Sequence, residues 1–333
     1  MAAVDYDLLS AARRVVEGAL SVVQGERVVV ICDTERAPLA AAIEEAASWL
    51  KAKAQVFNLD DCAPPPLAEL PPLIAKAMAD AQASVFIARA GSDEVALRRH
   101  VVELAKKHDI RHAHMLGVTP RTMVAGLAVD PHRIADTARQ LRARLRPDSE
   151  IRLTSVAGSD LTVRLSPGHR WVENSGIIRQ GRWLNLPAGE LLTAPKSVQG
   201  TFVVNASITG IPGLEGMLLD SSPLTLQFDG TRTTSANSAD SRVRQAVEDY
   251  LRGGANHDRV GLVSFGTNIG LSEPSGTLIV DQTLPGLHLA LGMTLPELTG
   301  ADWDSAGQLV LTASGADLDI DGNAVMRAGR YLM

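Results

Sequence analysis

Two rhythms of apolar and polar residues run along the chain. In the first half, short unbroken apolar runs alternate with longer stretches of helical spacing. "RVVVICD" (Arg27 to Asp33) is a β-branched run with no polar interruption, the pattern of a strand buried on both faces. "APLAAAIEEAASWLKAKA" follows with apolar positions three and four apart, as an amphipathic helix requires. "QVFNLDD" predicts the next strand. After the proline-rich turn "CAPPPLAELPP" come a helix ("LIAKAMADA"), a strand ("SVFIARAG"), a helix ("DEVALRRHVVELAKKH") and a strand ("RHAHMLGV"). Repeated strand–helix units predict an α/β domain whose parallel sheet is covered by helices.

The second rhythm begins after "PHRIADTARQLRARLRP", which reads as a linking helix. Short alternating segments then follow, separated by Gly, Asn, Asp and Ser turns: "IRLTSVAGSDLTVRL", "GTFVVNASITG", "LTLQFDGTRT" and "GQLVLTASGADLDIDG". One helix, "SADSRVRQAVEDYLRGG", interrupts them. The pattern predicts a mainly antiparallel, β-barrel-like (α+β) domain. The boundary is placed at Pro147, giving domains over residues 1–147 and 148–333. "DLDIDG" matches the start of a calcium-binding loop at Asp317, Asp319, Asp321 and Gly322. The twelfth position, where that loop needs a glutamate, holds Ala328. Its alternation with Leu318 and Ile320 reads instead as a strand with acids outward.

A length of 333 residues agrees with two domains of ordinary size. Aromatic residues make up only 4% of the chain, so Leu, Val, Ile and Ala must fill the cores. A net charge of −6 argues against nucleic-acid binding, which needs a basic face. The basic stretch Arg139 to Pro147 reads as a solvated helix end. Two cysteines, Cys32 and Cys62, are too few for a disulfide scaffold and suit a reducing compartment. The N-terminal segment is amphipathic and carries Asp5, Asp7 and Glu17, unlike a signal peptide. No apolar run is long enough to span a bilayer. The expectation is a soluble cytoplasmic protein with no nucleic-acid or membrane partner. No Gly-rich phosphate loop follows the first strand, so a nucleotide site has no motif support.

Five segments of the second half occur in a familiar order: "TSVAGSDLTVRL", "GRWLNLPAGELLTAP", "FGTNIG", "GLHLALG" and "ADLDIDGNAVMRAGRYL". In this order they resemble the M29 (aminopeptidase T-like) metallopeptidases. "TSVAGSD" and "GRW" are equally similar to 2,5-dihydroxypyridine dioxygenase, an iron enzyme of the same fold. The resemblance implies an active site in the second domain. For the peptidases it implies two divalent metals held by carboxylates and histidines, which together acidify a water. The glutamate of the "PAGE" motif corresponds to Glu190, and the histidine of the H-x-A-L-G motif to His288. The remaining family ligands are replaced. The glutamate four residues before the glycine of "GTN" falls on Leu262. The H-x-D pair falls on Gln308 and Val310, and the acidic stretch before His288 is reduced to Asp281. The dioxygenase's ligands fall on Leu262, Gln308 and Val310 as well. No histidine follows His288 in the chain, so realignment does not restore the H-x-D histidine.

Leucine and valine side chains have no lone pair, and a catalytic zinc or iron site needs about three protein ligands. The first expectation is therefore a metal-depleted pseudoenzyme without a cofactor. It would bind a peptide or small amide-like ligand, for instance as an accessory protein in peptide natural-product biosynthesis. In that reading Glu190 holds an ammonium group, and Thr267 and Asn268 hydrogen-bond a backbone. Arg182 pairs with a carboxylate, while Trp183 and His288 line the site. A second expectation is an active aminopeptidase or ring-cleaving dioxygenase. Its divalent metal would draw substitute ligands from His112, His114 or Asp281. A third is a metal-free hydrolase or lyase using Glu190 and His288. The alternative for both retained residues is packing, with "GE" and "HLALG" kept by fold geometry. The resemblance implies a homodimer or larger assembly.

Three further groups have bland readings. His112 and His114 share one face of a strand, as surface or interdomain histidines or as a metal pair. His169 lies in a turn near Glu173. Cys32 ends the first strand without a visible base, which reads as a core thiol.

Overall fold

The computed structural model describes residues 6–89 and 91–333, leaving the start of the N-terminal segment, with Asp5, outside the described residues. The chain divides into two compact units. One comprises the chain up to Arg133 together with Gly176–Ala188; the other comprises Ile134–Ser175 and Gly189–Met333. The expected cut at Pro147 does not coincide with this division. The helix Pro131–Arg144 passes almost wholly to the second unit, while a short piece of the second half returns to the first.

The first unit holds a five-stranded sheet. Its strand order is Lys53–Asn58, Arg27–Cys32, Ala83–Ile87, Arg111–His114 and Trp183–Asn185, and every pair is parallel. Val28 to Cys32 and the whole of Ala83–Ile87 are buried, as expected of a sheet covered on both faces. On one face Val29, Ile31, Phe57 and Phe86 pack with Ile74, Met78, Leu97 and Val101 of the helices Pro72–Ala79 and Val95–Lys107. The helix Ala37–Trp49 buries Leu39, Ile43 and Ala47. Near the N-terminus the helix Tyr6–Arg13 runs on into a π-helical turn, Arg14–Ala19.

The second unit is antiparallel. Its eight-stranded sheet includes Glu150–Ser155, Asp160–Arg164, Ser197–Val204, Leu224–Asp229 and Ala316–Ile320; a six-stranded sheet is built around Val260–Gly266 and Gly286–Gly292. The two are separate sheets rather than one closed barrel. They share a single core, to which one contributes Leu153, Phe202 and Leu226 and the other Phe265, Leu289 and Leu311. The helix Ser241–Arg252 adds Val243 and Val247. "DLDIDG" is a strand and turn. Leu318 and Ile320 are buried, while Arg327 binds Asp319 at 2.7 Å. Asp321 accepts from Ser149 Oγ at 2.7 Å and from the Glu150 amide at 3.0 Å. Among the described residues, no helix is long and apolar enough to cross a membrane.

Candidate functional site

The six-stranded sheet runs in the order Ile208–Thr209, Gln308–Leu311, Gly286–Gly292, Val260–Gly266, Glu190–Thr193, Val172–Asn174. Directly opposed residues of antiparallel strands project to the same face. Leu191, Val263, Phe265, Leu287, Leu289, Leu291, Leu309 and Leu311 face the core. The register then fixes the opposite face. Ser264 stands opposite Leu192 and His288, Leu262 opposite Ala290, Ala290 opposite Val310, and Gly266 opposite Glu190. Glu190, Leu262, His288, Gln308 and Val310 therefore share one face of one sheet. These are five of the positions onto which the resemblance places the family's ligands.

Two glycines bring this face together. Gly189 has φ +129°, and a Cβ there would lie 2.7 Å from the Asn268 amide nitrogen. A Cβ on Gly266 would collide with the Leu284 carbonyl. "PAGE" and "GTN" thus hold glycine because two backbones meet, whatever chemistry the face performs.

Ser264 Oγ donates to Glu190 Oε1 at 2.8 Å. Part of Glu190 reaches the surface, yet burial of its carboxyl pushes the pKa up to about 7, partly offset by the Ser264 hydrogen bond. His288 is 1% exposed, and both its ring nitrogens are engaged by backbone. Nε2 donates to the Leu284 carbonyl at 2.8 Å, and Nδ1 accepts from the Ala313 amide at 3.4 Å. Burial lowers its pKa to about 4, so the ring is neutral. It fastens two loops, and the expectation that it performs acid–base chemistry with Glu190 is corrected: Glu190's hydrogen-bond partner is Ser264. Nothing at the level of motifs marked Ser264. Its signal is its place two residues before Gly266, on the face that Glu190 shares.

The other sequence-derived residues divide between the units. Thr267 and Asn268 lie beside Glu190 in the second unit. Thr267 Oγ1 is buried without a hydrogen-bond partner among the described residues. Asn268 Oδ1 accepts from the Gly270 amide at 3.2 Å, so part of its side chain shapes its own turn. Arg182 and Trp183 belong to the first unit, where the strand Trp183–Asn185 extends the parallel sheet.

Of the proposed substitute ligands, Asp281 and His112 have their donor atoms engaged, and His114 has one ring nitrogen engaged. Asp281 is buried; it accepts from the Ser275 amide and hydroxyl at 2.6 and 2.8 Å and from the Gly276 amide at 2.9 Å. His112 and His114 are buried rather than at the surface. Ser84 Oγ lies 2.8 Å from His112 Nδ1, and His112 Nε2 lies 3.1 Å from His114 Nδ1. His114 stacks on Phe86 and meets Trp183 edge-on. Desolvation lowers both imidazoles' pKa values, that of His114 to about 4. His169 Nδ1 donates to the Ala194 carbonyl at 2.7 Å, and Glu173 is exposed. Burial raises the Cys32 thiol to about 11, which fits a core thiol. Among the described residues, no three His, Cys, Asp or Glu side chains come close enough to hold a metal ion.

A family model for 2,5-dihydroxypyridine 5,6-dioxygenase (NicX) matches residues 7–212. The chain belongs to the NicX family. The match takes in all of the parallel sheet and Glu190, and it ends before Leu262, His288, Gln308 and Val310. It therefore takes in the first two of the five motifs that suggested the resemblance, "TSVAGSDLTVRL" and "GRWLNLPAGELLTAP", and leaves the other three beyond its end. Over its whole length the NicX-family chain is similar to two solved structures. One is 2,5-dihydroxypyridine dioxygenase from Pseudomonas putida KT2440, with TM-score 0.65, 18% identity, and 97% of this chain and 96% of that one covered. The other is AmpT from Thermus thermophilus, with TM-score 0.65, 17% identity, and 99% and 100% covered. At these identities the likeness establishes the fold. No curated protein sequence matches.

The fold family implies a bound metal, and the donors on this face do not fit one. Of the five matched positions, two are aliphatic, His288 has both nitrogens committed to backbone, and Gln308 offers only an amide. Glu190 alone supplies a strong oxygen donor, where a site of this kind needs about three ligands.

Proposed function

We propose that this NicX-family protein binds a small amine- or amide-bearing ligand, such as a peptide terminus, at Glu190 without using a metal. The observation that carries this reading is the sheet face itself. A buried carboxyl, oriented by Ser264, stands where Leu262, Val310 and the backbone-bound His288 leave a metal too few ligands. An ammonium group beside Glu190 would compensate its buried charge, and the hydroxyl of Thr267 would accept or donate one hydrogen bond. Ring-cleaving dioxygenation, named for one of the similar structures, would need ligands from other residues.

A second reading rests on the 2.8 Å Ser264–Glu190 hydrogen bond. A carboxyl titrating near neutrality can act as a general base, so a metal-free hydrolase or lyase would use Glu190 as base, with Ser264 orienting it.

The test pairs metal analysis with ligand binding. The protein is incubated with zinc, manganese, cobalt or ferrous iron, desalted and analysed by elemental mass spectrometry. It is then screened for thermal stabilisation by short peptides. The expected result is no retained metal, with stabilisation by peptides bearing a free N-terminus that is lost in Glu190→Gln. Stoichiometric metal held through desalting would sink the proposal. Turnover of a peptide without metal, abolished by Glu190→Gln, would favour the second reading.

A further inference from the structure

We infer that the first unit carries a separate binding site for a small aromatic carboxylate, between the N-terminal helix and the end of the helix Ala37–Trp49. A cavity of about 530 Å³ opens there, in the size range of small-molecule sites. It is lined by Tyr6, Leu9, Arg13, Arg14 and Trp49, with Asp130 and His132 at the start of the helix Pro131–Arg144. Neither the motifs nor the sheet face that carries Glu190 involves these residues.

The apolar part of the lining is aromatic and exposed. Tyr6 is 86% exposed and Trp49 55%, in a chain of which only 4% is Phe, Trp or Tyr. Two exposed rings at one cavity, Trp49 with one face under the Arg13 guanidinium, offer open faces for a flat ligand to stack on.

The polar part singles out Arg14. Arg13 is already committed: its Nε and Nη2 donate to Glu17 at 2.8 and 3.3 Å, and its guanidinium lies 5.4 Å from the centre of the Trp49 ring. That contact fixes the indole plane as one wall. Asp130 caps its own helix, with Oδ1 accepting from the His132 amide at 2.8 Å. Arg14 forms no ion pair among the described residues, and its Nε is buried without a hydrogen-bond partner. Buried guanidinium nitrogens are normally satisfied, so one left open beside a cavity points to a partner supplied by a ligand. Arg14 also begins the π-helical turn Arg14–Ala19. Such turns are rare and recur at functional sites, because the wider winding redirects a side chain from the helix ladder. The planar fork of arginine suits a carboxylate held bidentately, with the attached ring against Trp49 and Tyr6.

The site is tested by calorimetric titration of the whole protein with benzoate, and with benzyl alcohol as the uncharged counterpart of similar shape. Indole fluorescence follows Trp49 in parallel. Benzoate is expected to bind saturably and benzyl alcohol not to bind. Arg14→Gln should weaken benzoate by about ten-fold or more, the loss typical of a charge-assisted pair. Trp49→Ala, an exposed position whose truncation leaves the fold intact, should weaken it and remove the fluorescence change. Absence of saturable benzoate binding to the wild-type protein overturns the inference. So does wild-type affinity in either variant, or binding of benzyl alcohol as tight as that of benzoate.

Discussion

Glu190 is the residue on which the functional reading turns, and its protonation gives that reading a signature. Its carboxyl titrates near 7 because burial penalises the charged form, and a bound ammonium group would stabilise that form. Binding of a peptide amine must then expel a proton at pH 6, where the amine is already charged, and expel none at pH 8, where part of the amine takes one up instead. Affinity for a free-amine peptide is expected to rise about ten-fold per pH unit up to about 7 and to fall again above about 8, where the amine itself loses its proton. Titration calorimetry in two buffers of different ionisation enthalpy, at pH 6 and 8, checks this; a pH-independent affinity would remove Glu190 from the contact. The contrast with His288 is instructive. Both belong to retained motifs, and the sequence alone could not tell a poised group from a structural one. The difference lies in partners distant in sequence, a hydroxyl for one and two backbone groups for the other.

At the scale of elements, the glycines of "PAGE" and "GTN" act as spacers that let the strands Glu190–Thr193 and Val260–Gly266 approach the loops around Asn268 and Leu284. Gly189→Ala should therefore destabilise the protein by about 2 kcal/mol or more, from the strained φ and the collision with the Asn268 amide. Urea denaturation measures it, and a change within about 0.5 kcal/mol would show that the loop gives way. Periodicity made the four strands of the α/β half legible, and the alternation of "DLDIDG" correctly argued for a strand over a calcium loop. It could not reveal that Trp183–Asn185 joins the parallel sheet. Three residues carry too little pattern, and their partner, the strand Arg111–His114, lies far back in the chain. The burial of His112 and His114, which read in the sequence as surface or interdomain histidines or a metal pair, was hidden for the same reason, since that added strand covers their edge of the sheet. The Arg14 cavity was likewise invisible to motif reading, because its lining comes from three separate helical segments.

For the molecule as a whole, buried titratable groups oppose one another. His112, His114 and His288 are held neutral below their ordinary value of 6.5, so the unfolded chain takes up protons that the folded one refuses. Stability from these three is present above pH 6.5 and is lost as pH falls. Glu190 has the opposite sign, because its raised pKa favours the folded state at low pH and that stability is lost as pH rises towards 7. Between about pH 4.5 and 6.5 the balance is three protons against one, so stability should fall with acid, with a slope of roughly two protons. In Glu190→Gln the slope should steepen to roughly three protons. Denaturation midpoints across that range test the count, and an unchanged slope in the variant would mean that Glu190 is ionised throughout.

The return of Trp183–Asn185 to the first sheet also has a consequence for how the protein is made. A ribosome synthesises the chain from its N-terminus, and the sheet's last strand appears roughly seventy residues after His114, behind three strands of the other unit. At about 5–20 residues per second, the edge at Arg111–His114 waits for several seconds without its neighbour. During that interval it offers unpaired amides and carbonyls to any other extended chain. A nascent chain stalled between residues 115 and 182 would be the form of this protein most in need of a chaperone.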